Sequence, residues 1–278
     1  MEKIRIDNVR KTFQLKAGQS GTVQEGFKLR ELEVLGGVDL SIREGEFITL
    51  VGPSGCGKSV LLDIVGGLST PSAGNVFIDA NKVYKPAPNS AYVFQQYALF
   101  PWRNVLSNVE YALEVRGVSK AERVEKARLL LGLLGLTGFG DRYPNQLSGG
   151  MQQRVAIARA LVSDPEVLLM DEPFAALDAQ TRESLQEELL RIWETTNTTV
   201  IFVTHGIDEA VFLADRVVVF TSRPGLVKDI IDIELPRPRP EDIRSSPEFN
   251  SHRHQVWEAL SGEVRKAQQD LELSLAFS

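Results

Sequence analysis

The chain has 278 residues, enough for one large domain or two of modest size, and its 43% hydrophobic and 24% charged content is ordinary for a globular protein. A formal net charge of −6 at pH 7 argues against a protein that binds nucleic acid mainly through its charge. One cysteine, Cys56, excludes an internal disulfide, and neither a signal-peptide pattern nor an apolar run long enough to span a bilayer is present, so we expect a cytosolic protein.

The first third of the chain predicts a strand-rich region. Apolar runs favour strands, which we place at residues 4–9, 38–42, 47–51 and 90–95, the last of them buried. Residues 74–83 predict a hairpin. Residues 15–35 are rich in Gly, Gln, Lys and Glu, and therefore favour a surface loop or an extended hairpin.

From residue 97 to about residue 165 the pattern becomes helical. Ser119 and Glu122 have the spacing of a capping box, and an apolar series follows at helical spacing: Val124, Ala127, Leu131 and Leu134. Ser148 precedes a helix predicted at residues 152–161.

Strand and helix patterns alternate in the last part of the chain. Strands are predicted at residues 167–170, 200–203 and 216–220, and a helix at residues 180–193. This alternation predicts an α/β fold with a largely parallel sheet. Past residue 225, prolines precede an amphipathic helix with a stripe typical of core packing, formed by Val256, Leu260, Val264, Ala267 and Leu271.

A glycine-rich segment directly follows the strand predicted at residues 47–51 and opens a helical pattern. It consists of Gly52, Pro53, Ser54, Gly55, Cys56, Gly57, Lys58 and Ser59. Glycines let successive backbone N–H groups converge on an anion, and the following helix adds its positive end. Lys58 is therefore expected to reach nucleotide phosphates and Ser59 to hold Mg²⁺. The alternative, a plain turn before a core helix, is disfavoured by this strand and helix context.

Two carboxylates end the strand predicted at residues 167–170, where ligands collect in open α/β sheets. We expect Asp171 to hold Mg²⁺ and Glu172 to polarise the water that attacks the γ-phosphate. A pair of acids at a strand end is usually only solvated. Together with the glycine-rich segment, however, the pair indicates a site for nucleotide hydrolysis.

Residues 147–154, with the sequence LSGGMQQR, resemble the signature motif of the ATP-binding cassette (ABC) ATPases. Ser148, Gly149 and Gly150 would expose a hydroxyl and backbone N–H groups at a second helix terminus suited to anions. The resemblance implies a P-loop NTPase core with an N-terminal antiparallel β subdomain and an inserted α-helical subdomain. It also implies two cassettes packed head to tail, each signature closing on the ATP held by the other's phosphate loop.

Further residues match elements of this family in the expected order. Gln95 resembles the glutamine that senses Mg²⁺ and the attacking water, and His205 resembles the histidine that contacts the γ-phosphate. Residues 176–178, which end at Asp178, resemble the loop that crosses the dimer interface. A lone histidine after a strand is more often structural, but its place in this series favours the functional role. Phe13 stands where the family usually has the ring that stacks on adenine, with Phe27 as the alternative.

The resemblance implies ATP and Mg²⁺ as ligands. The implied nucleotide-binding residues are Phe13, Gly52, Pro53, Ser54, Gly55, Cys56, Gly57, Lys58, Ser59, Val60, Gln95, Ser148, Gly149, Gly150, Asp178 and His205. The implied metal ligands are Ser59, Gln95 and Asp171, and the implied catalytic residues are Lys58, Gln95, Glu172 and His205. Val60 departs from the family pattern, since many such loops carry a second hydroxyl at this position.

Four units follow from the same resemblance. The first, at residues 1–95, is an ATP-binding core with a β subdomain, and it carries a loop insert at about residues 15–35. The others are a helical subdomain with the signature motif at 96–165, the remainder of the core at 166–225, and a C-terminal extension with an amphipathic helix at 226–278. Residues 99–105, and residues 208–216 leading into residues 222–225, resemble the importer ATPases for nitrate, sulfonate, taurine and bicarbonate, and the tail at residues 235–239 and 244–249 is similar to the same group.

That narrower resemblance implies an ATPase that energises an importer from the cytoplasmic face of the inner membrane, as a peripheral protein. Its implied partners are a second cassette, identical or a sibling chain, integral permease subunits, and indirectly a periplasmic or lipoprotein substrate-binding protein, with no nucleic acid. A non-transport cassette ATPase of the DNA repair or translation type usually carries long coiled-coil insertions or two cassettes. A catalytically silent regulatory cassette is disfavoured because Lys58, Asp171, Glu172 and His205 are present.

Overall fold

A computed structural model describes residues 1–15 and 30–276. The strands are β1 Glu2–Leu15, β2 Arg30–Arg43, β3 Phe47–Val51, β4 Ala73–Ile78, β5 Asn81–Lys82, β6 Ser90–Val93, β7 Val167–Asp171, β8 Thr199–Val203, β9 Arg216–Phe220 and β10 Val227–Asp232. The helices are α1 Lys58–Val65, α2 Val105–Val115, α3 Lys120–Leu133, α4 Gly149–Leu161, α5 Ala179–Glu194, α6 Ile207–Leu213 and α7 Pro247–Ala276. Short 3₁₀ helices lie at Pro144–Gln146 and Glu241–Ser245.

The central layer is a six-stranded sheet with the order β10-β9-β3-β8-β7-β6. All neighbouring strands in it run parallel except β10, which is antiparallel to β9. Every residue of β3 and β8 is buried, as is typical of parallel strands covered on both faces. The α/β fold with a largely parallel sheet is therefore confirmed.

Side chains alternate across this sheet and join two separate apolar cores. On β3, Phe47 and Val51 belong to the core that also contains residues of α2 to α7. Ile48 and Leu50 point to the other face and belong to a core built with the first strands and α1. The sheet thus positions its strand ends between two packed layers.

The second sheet is antiparallel, with the order β2-β1-β4-β5. The pairing of β1 with β2 continues as far as Leu15 opposite Arg30, so the loop predicted across residues 15–35 was wrong at both ends. The extended hairpin, the other alternative, agrees with this pairing, because cross-strand hydrogen bonds order these polar residues. Residues 16–29 lie outside the described residues. The hairpin predicted at residues 74–83 is confirmed by β4 and β5.

Three further expectations on local structure need correction. The strand predicted at residues 90–95 ends at Val93, which is its only buried residue, because β6 is an edge strand with β7 as its single neighbour. Helix α4 begins at Gly149 and not at residue 152, because the Ser148 hydroxyl accepts the N–H of Met151 and caps the first turn. The strand predicted at 167–170 includes Asp171.

The other helical predictions agree with the structure. Ser119 caps α3 by accepting the N–H of Glu122, and Ala127 and Leu131 face the core. In α7, Val256 and Leu260 are buried, while the side chain of Leu271 lies outside the description. Within residues 1–15 and 30–276, no helix is long and apolar enough to cross a bilayer.

Candidate functional site

The candidate residues lie at one edge of the six-stranded sheet, where its parallel strands end. The glycine-rich loop follows β3, Asp171 ends β7 and Glu172 follows it, and His205 comes just after β8. Because β3, β8 and β7 are neighbours that run in the same direction, their carboxyl ends meet at the same edge. Residues that are more than 100 positions apart in the sequence therefore form one site.

The glycine-rich loop has a backbone that only glycine tolerates well at two positions. Gly55 has φ +74° and Gly57 has φ +108°, both in the left-handed region. A Cβ atom on Gly57 would lie 2.7 Å from Leu35 Cδ2. Left-handed residues between ordinary ones turn successive N–H groups into a concave anion site. The loop therefore fits a phosphate group.

The side chain of Lys58 is held inside this loop by backbone carbonyls of the loop. Its Nζ donates hydrogen bonds to the carbonyls of Gly52 at 2.9 Å and of Pro53 at 3.1 Å, and the side chain is buried. Cys56 Sγ lies 3.8 Å from the same ammonium. Burial raises the pKa of the Cys56 thiol, so a neutral thiol fills the space beneath the loop.

Ser59 and Asp171 form the second part of the site. The Ser59 hydroxyl donates to Asp171 Oδ1 at 2.8 Å. Burial raises the pKa of the Asp171 carboxyl, and the hydrogen bond from Ser59 opposes this shift. A hydroxyl and a carboxylate are hard oxygen donors of the kind that Mg²⁺ takes together with phosphate oxygens and water, so this pair fits the metal. In the described parts of the chain, no three His, Cys, Asp or Glu side chains are grouped to hold a metal by themselves.

Glu172 connects the two remaining candidate catalytic residues. Its Oε1 lies 2.8 Å from His205 Nε2, and its Oε2 accepts a hydrogen bond from Gln95 Nε2 at 3.3 Å. The backbone of Glu172 is left-handed, with φ 45°, and its N–H donates to the carbonyl of Val203 at 3.0 Å. A non-glycine residue in this conformation is uncommon and often marks a functional site.

These residues surround one open cleft of about 590 Å³. Its walls are Val34, Ser54, Gly55, Gly57, Lys58, Ser59, Val60, Gln95, Glu172, His205 and Arg223. The structure thus brings together the loop, the glutamine, the glutamate and the histidine that the sequence singled out. Gly52, Pro53 and Cys56 form the inner side of the loop, where they contact Lys58.

The sequence analysis missed Arg223 as a member of the site. Its Nε and Nη2 donate to the carbonyl of Gly55 at 3.2 and 3.0 Å. The guanidinium therefore connects the turn after β9 to the phosphate loop. The turn residues Pro224 and Gly225 were visible in the sequence. No local signal, however, indicates that this turn lies against a loop about 168 residues earlier.

Among the described residues, the cleft wall does not include Phe13. Its ring is 40% exposed and lies 5.2 Å from Lys11 Nζ, while Val34, which the sequence analysis did not single out, supplies an apolar surface in the cleft. The stacking of adenine on Phe13 stays a prediction. The alternative, Phe27, lies outside the described residues.

The signature residues form a different surface from the cleft. Ser148 caps α4, and a Cβ atom on Gly150 would lie 2.7 Å from Cγ2 of Thr181, near the start of α5. Asp178 caps α5 by accepting the N–H of Thr181 at 3.0 Å. Among the residues that the structure describes, neither Ser148, Gly149 and Gly150 nor Asp178 lines the cleft. Their contact with a nucleotide therefore stays a prediction that needs a second chain.

Comparison with known proteins adds an independent observation. Residues 35–175 match a family model described as ABC transporter. An uncharacterized ABC transporter ATP-binding protein of Methanocaldococcus jannaschii is 50% identical over 265 residues, which are 95% of this chain and 94% of that protein. A nitrate import ATP-binding protein of Synechocystis is 44% identical, over 81% of this chain and 87% of that protein. An aliphatic sulfonates import ATP-binding protein of Bacillus cereus is 43% identical, over 88% of this chain and 92% of that protein.

A solved structure has the same fold. It is a dimeric ATP-binding cassette in a post-hydrolysis state with ADP and Pi. It aligns with a TM-score of 0.72 and 35% identity, over 84% of this chain and 100% of that one. The expected P-loop NTPase architecture is therefore confirmed.

Proposed function

The chain belongs to the ATP-binding proteins of ABC transporters, and on that premise we propose that it is the ATPase that energises an importer for a small anion, such as nitrate, sulfonate, taurine or bicarbonate. The observation that carries the proposal is the cleft in which Glu172 contacts both His205 and Gln95, beside the phosphate loop. Relatives named for two different anions, nitrate and sulfonates, are about equally similar to this chain. These two names support a small anion as the cargo and do not indicate which anion it is.

ATP is the substrate of the proposed reaction. The converging N–H groups of the loop and the ammonium of Lys58 would bind its phosphates. The carboxylate of Glu172 would accept a proton from the attacking water as a P–O bond forms to the γ-phosphorus and the bond to ADP breaks. His205 and Gln95 would hold the carboxylate in position, because each contacts one of its two oxygens.

Ser59 and Asp171 would hold Mg²⁺. When bound, the metal would neutralise negative charge on the phosphates as a Lewis acid. The Oγ to Oδ1 distance of 2.8 Å supports this assignment, because it brings two hard oxygen donors together at the end of β7.

A second cassette is the first proposed partner. The signature residues Ser148, Gly149 and Gly150, with Asp178, form a surface apart from the described cleft wall. A site that needs both surfaces would be completed by another copy or by a sibling chain. The dimeric cassette with 35% identity to this chain supports such an arrangement.

Integral permease subunits are the second proposed partner. The segment after β6 carries exposed aromatic side chains, since Phe94 is 41% and Trp102 is 72% exposed. Larger exposed apolar patches are typical of interaction surfaces, so these side chains support one in this segment. Gln95 lies in the same segment, so a permease seated on it would be in contact with a neighbour of Glu172. The chain would then be a peripheral protein on the cytoplasmic face of the inner membrane, acting with a substrate-binding protein.

Reconstitution tests this proposal. The chain, the permease encoded next to it and the associated binding protein would be assembled in proteoliposomes, and uptake of labelled nitrate, taurine, an alkylsulfonate or bicarbonate would be measured with and without ATP. We expect ATP-dependent uptake of one of these anions, and no uptake with Glu172→Gln. Purification of the chain from its host without any integral membrane subunit would instead favour a non-transport cassette ATPase.

A further inference from the structure

A continuous set of buried and partly buried polar contacts links the C-terminal extension to the turn that carries His205. It begins at Arg244, in the 3₁₀ helix Glu241–Ser245. The guanidinium of Arg244 lies 3.7 Å from the centroid of the Phe212 ring, and its Nη2 donates to Gln186 Oε1 at 2.8 Å. Arg244 therefore contacts both α6 and α5.

The next contacts lead from α5 to the end of β8. Gln186 is buried, and its Nε2 donates to Glu209 Oε1 at 2.7 Å. The other carboxylate oxygen of Glu209 accepts a hydrogen bond from the Thr204 hydroxyl. Thr204 Oγ1 in turn accepts the N–H of Gly206 at 2.9 Å. The backbone is thus held on both sides of His205.

The direction of these hydrogen bonds is set at both ends of Gln186, by a guanidinium on one side and a carboxylate on the other. A guanidinium can only donate, so Gln186 must turn its carbonyl oxygen toward Arg244 and its NH₂ group toward Glu209. If Gln186 turned the other way, its oxygen would face a carboxylate. Burial raises the pKa of the Glu209 carboxyl, and the hydrogen bonds from Thr204 and Gln186 oppose this shift, which makes the NH₂ orientation of Gln186 matter.

The end of this set of contacts is next to the proposed reaction. His205 Nε2 lies 2.8 Å from Glu172 Oε1. Arg244, Gln186, Glu209, His205 and Glu172 also line one cavity of about 350 Å³, which shares Glu172 and His205 with the nucleotide cleft. Among the described residues, the wall of the nucleotide cleft itself includes neither Arg244 nor Gln186. A change at Arg244 can therefore reach His205 without removing a contact from the nucleotide cleft.

We propose that Arg244 is a positioning residue for ATP hydrolysis, which orients the His205 turn through Gln186, Glu209 and Thr204. The inference rests on the proposed ATPase function and deepens it. It assigns to the C-terminal extension control over the rate of hydrolysis, and none over ATP affinity. Loss of Arg244 removes the hydrogen bond to Gln186 Oε1 and the contact with the Phe212 ring, so Gln186 and Glu209 are held less firmly and the turn that carries His205 loses its fixed orientation toward Glu172.

The test uses the purified full-length chain and measures kcat and KM for ATP. Arg244→Ala is expected to lower kcat by roughly tenfold or more, since a small misplacement of a catalytic group has effects of this size, with KM for ATP within about twofold of wild type. Arg265→Ala, at an exposed position of α7, is the matched control and is expected to retain wild-type kinetics. A kcat equal to that of the control, or a raised KM with kcat unchanged, overturns the proposal.

A second variant separates positioning from general stability. Gln186→Glu keeps an acceptor for Arg244 but sets a carboxylate against Glu209, so we expect a similar fall in kcat. In a His205→Ala background, Arg244→Ala is expected to cause no further loss. Equal losses with and without His205 would overturn the proposal, because they would show an effect on the fold alone.

Two results distinguish a failure of the proposed ATPase function from a failure of the positioning role of Arg244. If wild-type chain hydrolyses no ATP, the proposed function fails and the positioning role fails with it. If wild-type chain is active and Arg244→Ala does not fold, Gln186→Glu decides the question, and wild-type kcat in that variant overturns the positioning role.

Discussion

Replacement of Glu172 by glutamine separates the basicity of this side chain from its position. The two side chains have nearly the same shape, and a glutamine oxygen can still accept a hydrogen bond from His205 across the present 2.8 Å. The amide nitrogen cannot accept the hydrogen bond that Gln95 now donates at 3.3 Å. The variant therefore loses a proton acceptor and one long hydrogen bond, while the cleft keeps its shape.

The size of the effect shows which of these losses dominates. The hydrogen bond lost is to a carboxylate but is long, at 3.3 Å, so its loss costs about 1.5 kcal/mol, which corresponds to roughly a tenfold change in rate. Loss of a general base lowers kcat by about 10²- to 10⁴-fold, equivalent to about 3 to 5 kcal/mol in the activation barrier. We therefore expect a fall in kcat of at least about 100-fold, with ATP affinity unchanged.

Two measurements check this expectation. Phosphate release in single turnover reports the chemical step, and titration with a fluorescent ATP analogue reports binding. Glu125→Gln makes the same chemical change at an exposed position of α3 and is expected to behave as wild type. Turnover of Glu172→Gln within about tenfold of wild type would refute the role of Glu172 as base, since a lost hydrogen bond alone explains a change of that size.

Three further predictions follow from contacts of the phosphate loop and the signature. Lys58→Ala removes the ammonium bonded to the Gly52 carbonyl and is expected to weaken ATP binding by about tenfold or more in equilibrium titration, so unchanged affinity would contradict its role. Ser148→Arg is expected to retain ATP binding and to lose the ATP-dependent dimer in size-exclusion chromatography; a normal dimer would disprove the contact between chains. Arg223→Ala frees the Gly55 carbonyl, and because Arg223 is exposed the expected rise in KM for ATP is only about two- to fivefold, whereas an unchanged KM would show that the contact is unimportant.

The phosphate loop could be predicted from sequence because its signal is local. A mostly apolar β3, glycines at the positions with left-handed backbone, and a helix starting at Lys58 all lie within 20 consecutive residues. The same holds for the signature, where Ser148 caps its own helix. Even there the start of α4 was misplaced by three residues, because a serine cap and two glycines admit either boundary.

The strand-rich region was harder to predict. The end of the 15–35 segment does alternate, with Glu31 and Glu33 beside Leu32 and Val34, and this strand signal was missed because the segment as a whole has a polar composition. The strand conformation is completed by pairing between β1 and β2. Pairing of this kind is a property of two segments together, which propensity at either segment does not reveal.

The amino-acid sequence by itself determined which backbone can cradle a phosphate, which carboxylates end a strand, and the order in which these elements occur. Only the tertiary structure decided that Arg223 grips the phosphate loop, that Val34 lines the cleft, and that Arg244 reaches the His205 turn through Gln186. Capping, glycine turns and strand endings are set by neighbours along the chain. The other contacts join distant segments, so they depend on sheet order and on helix packing, which no single segment encodes.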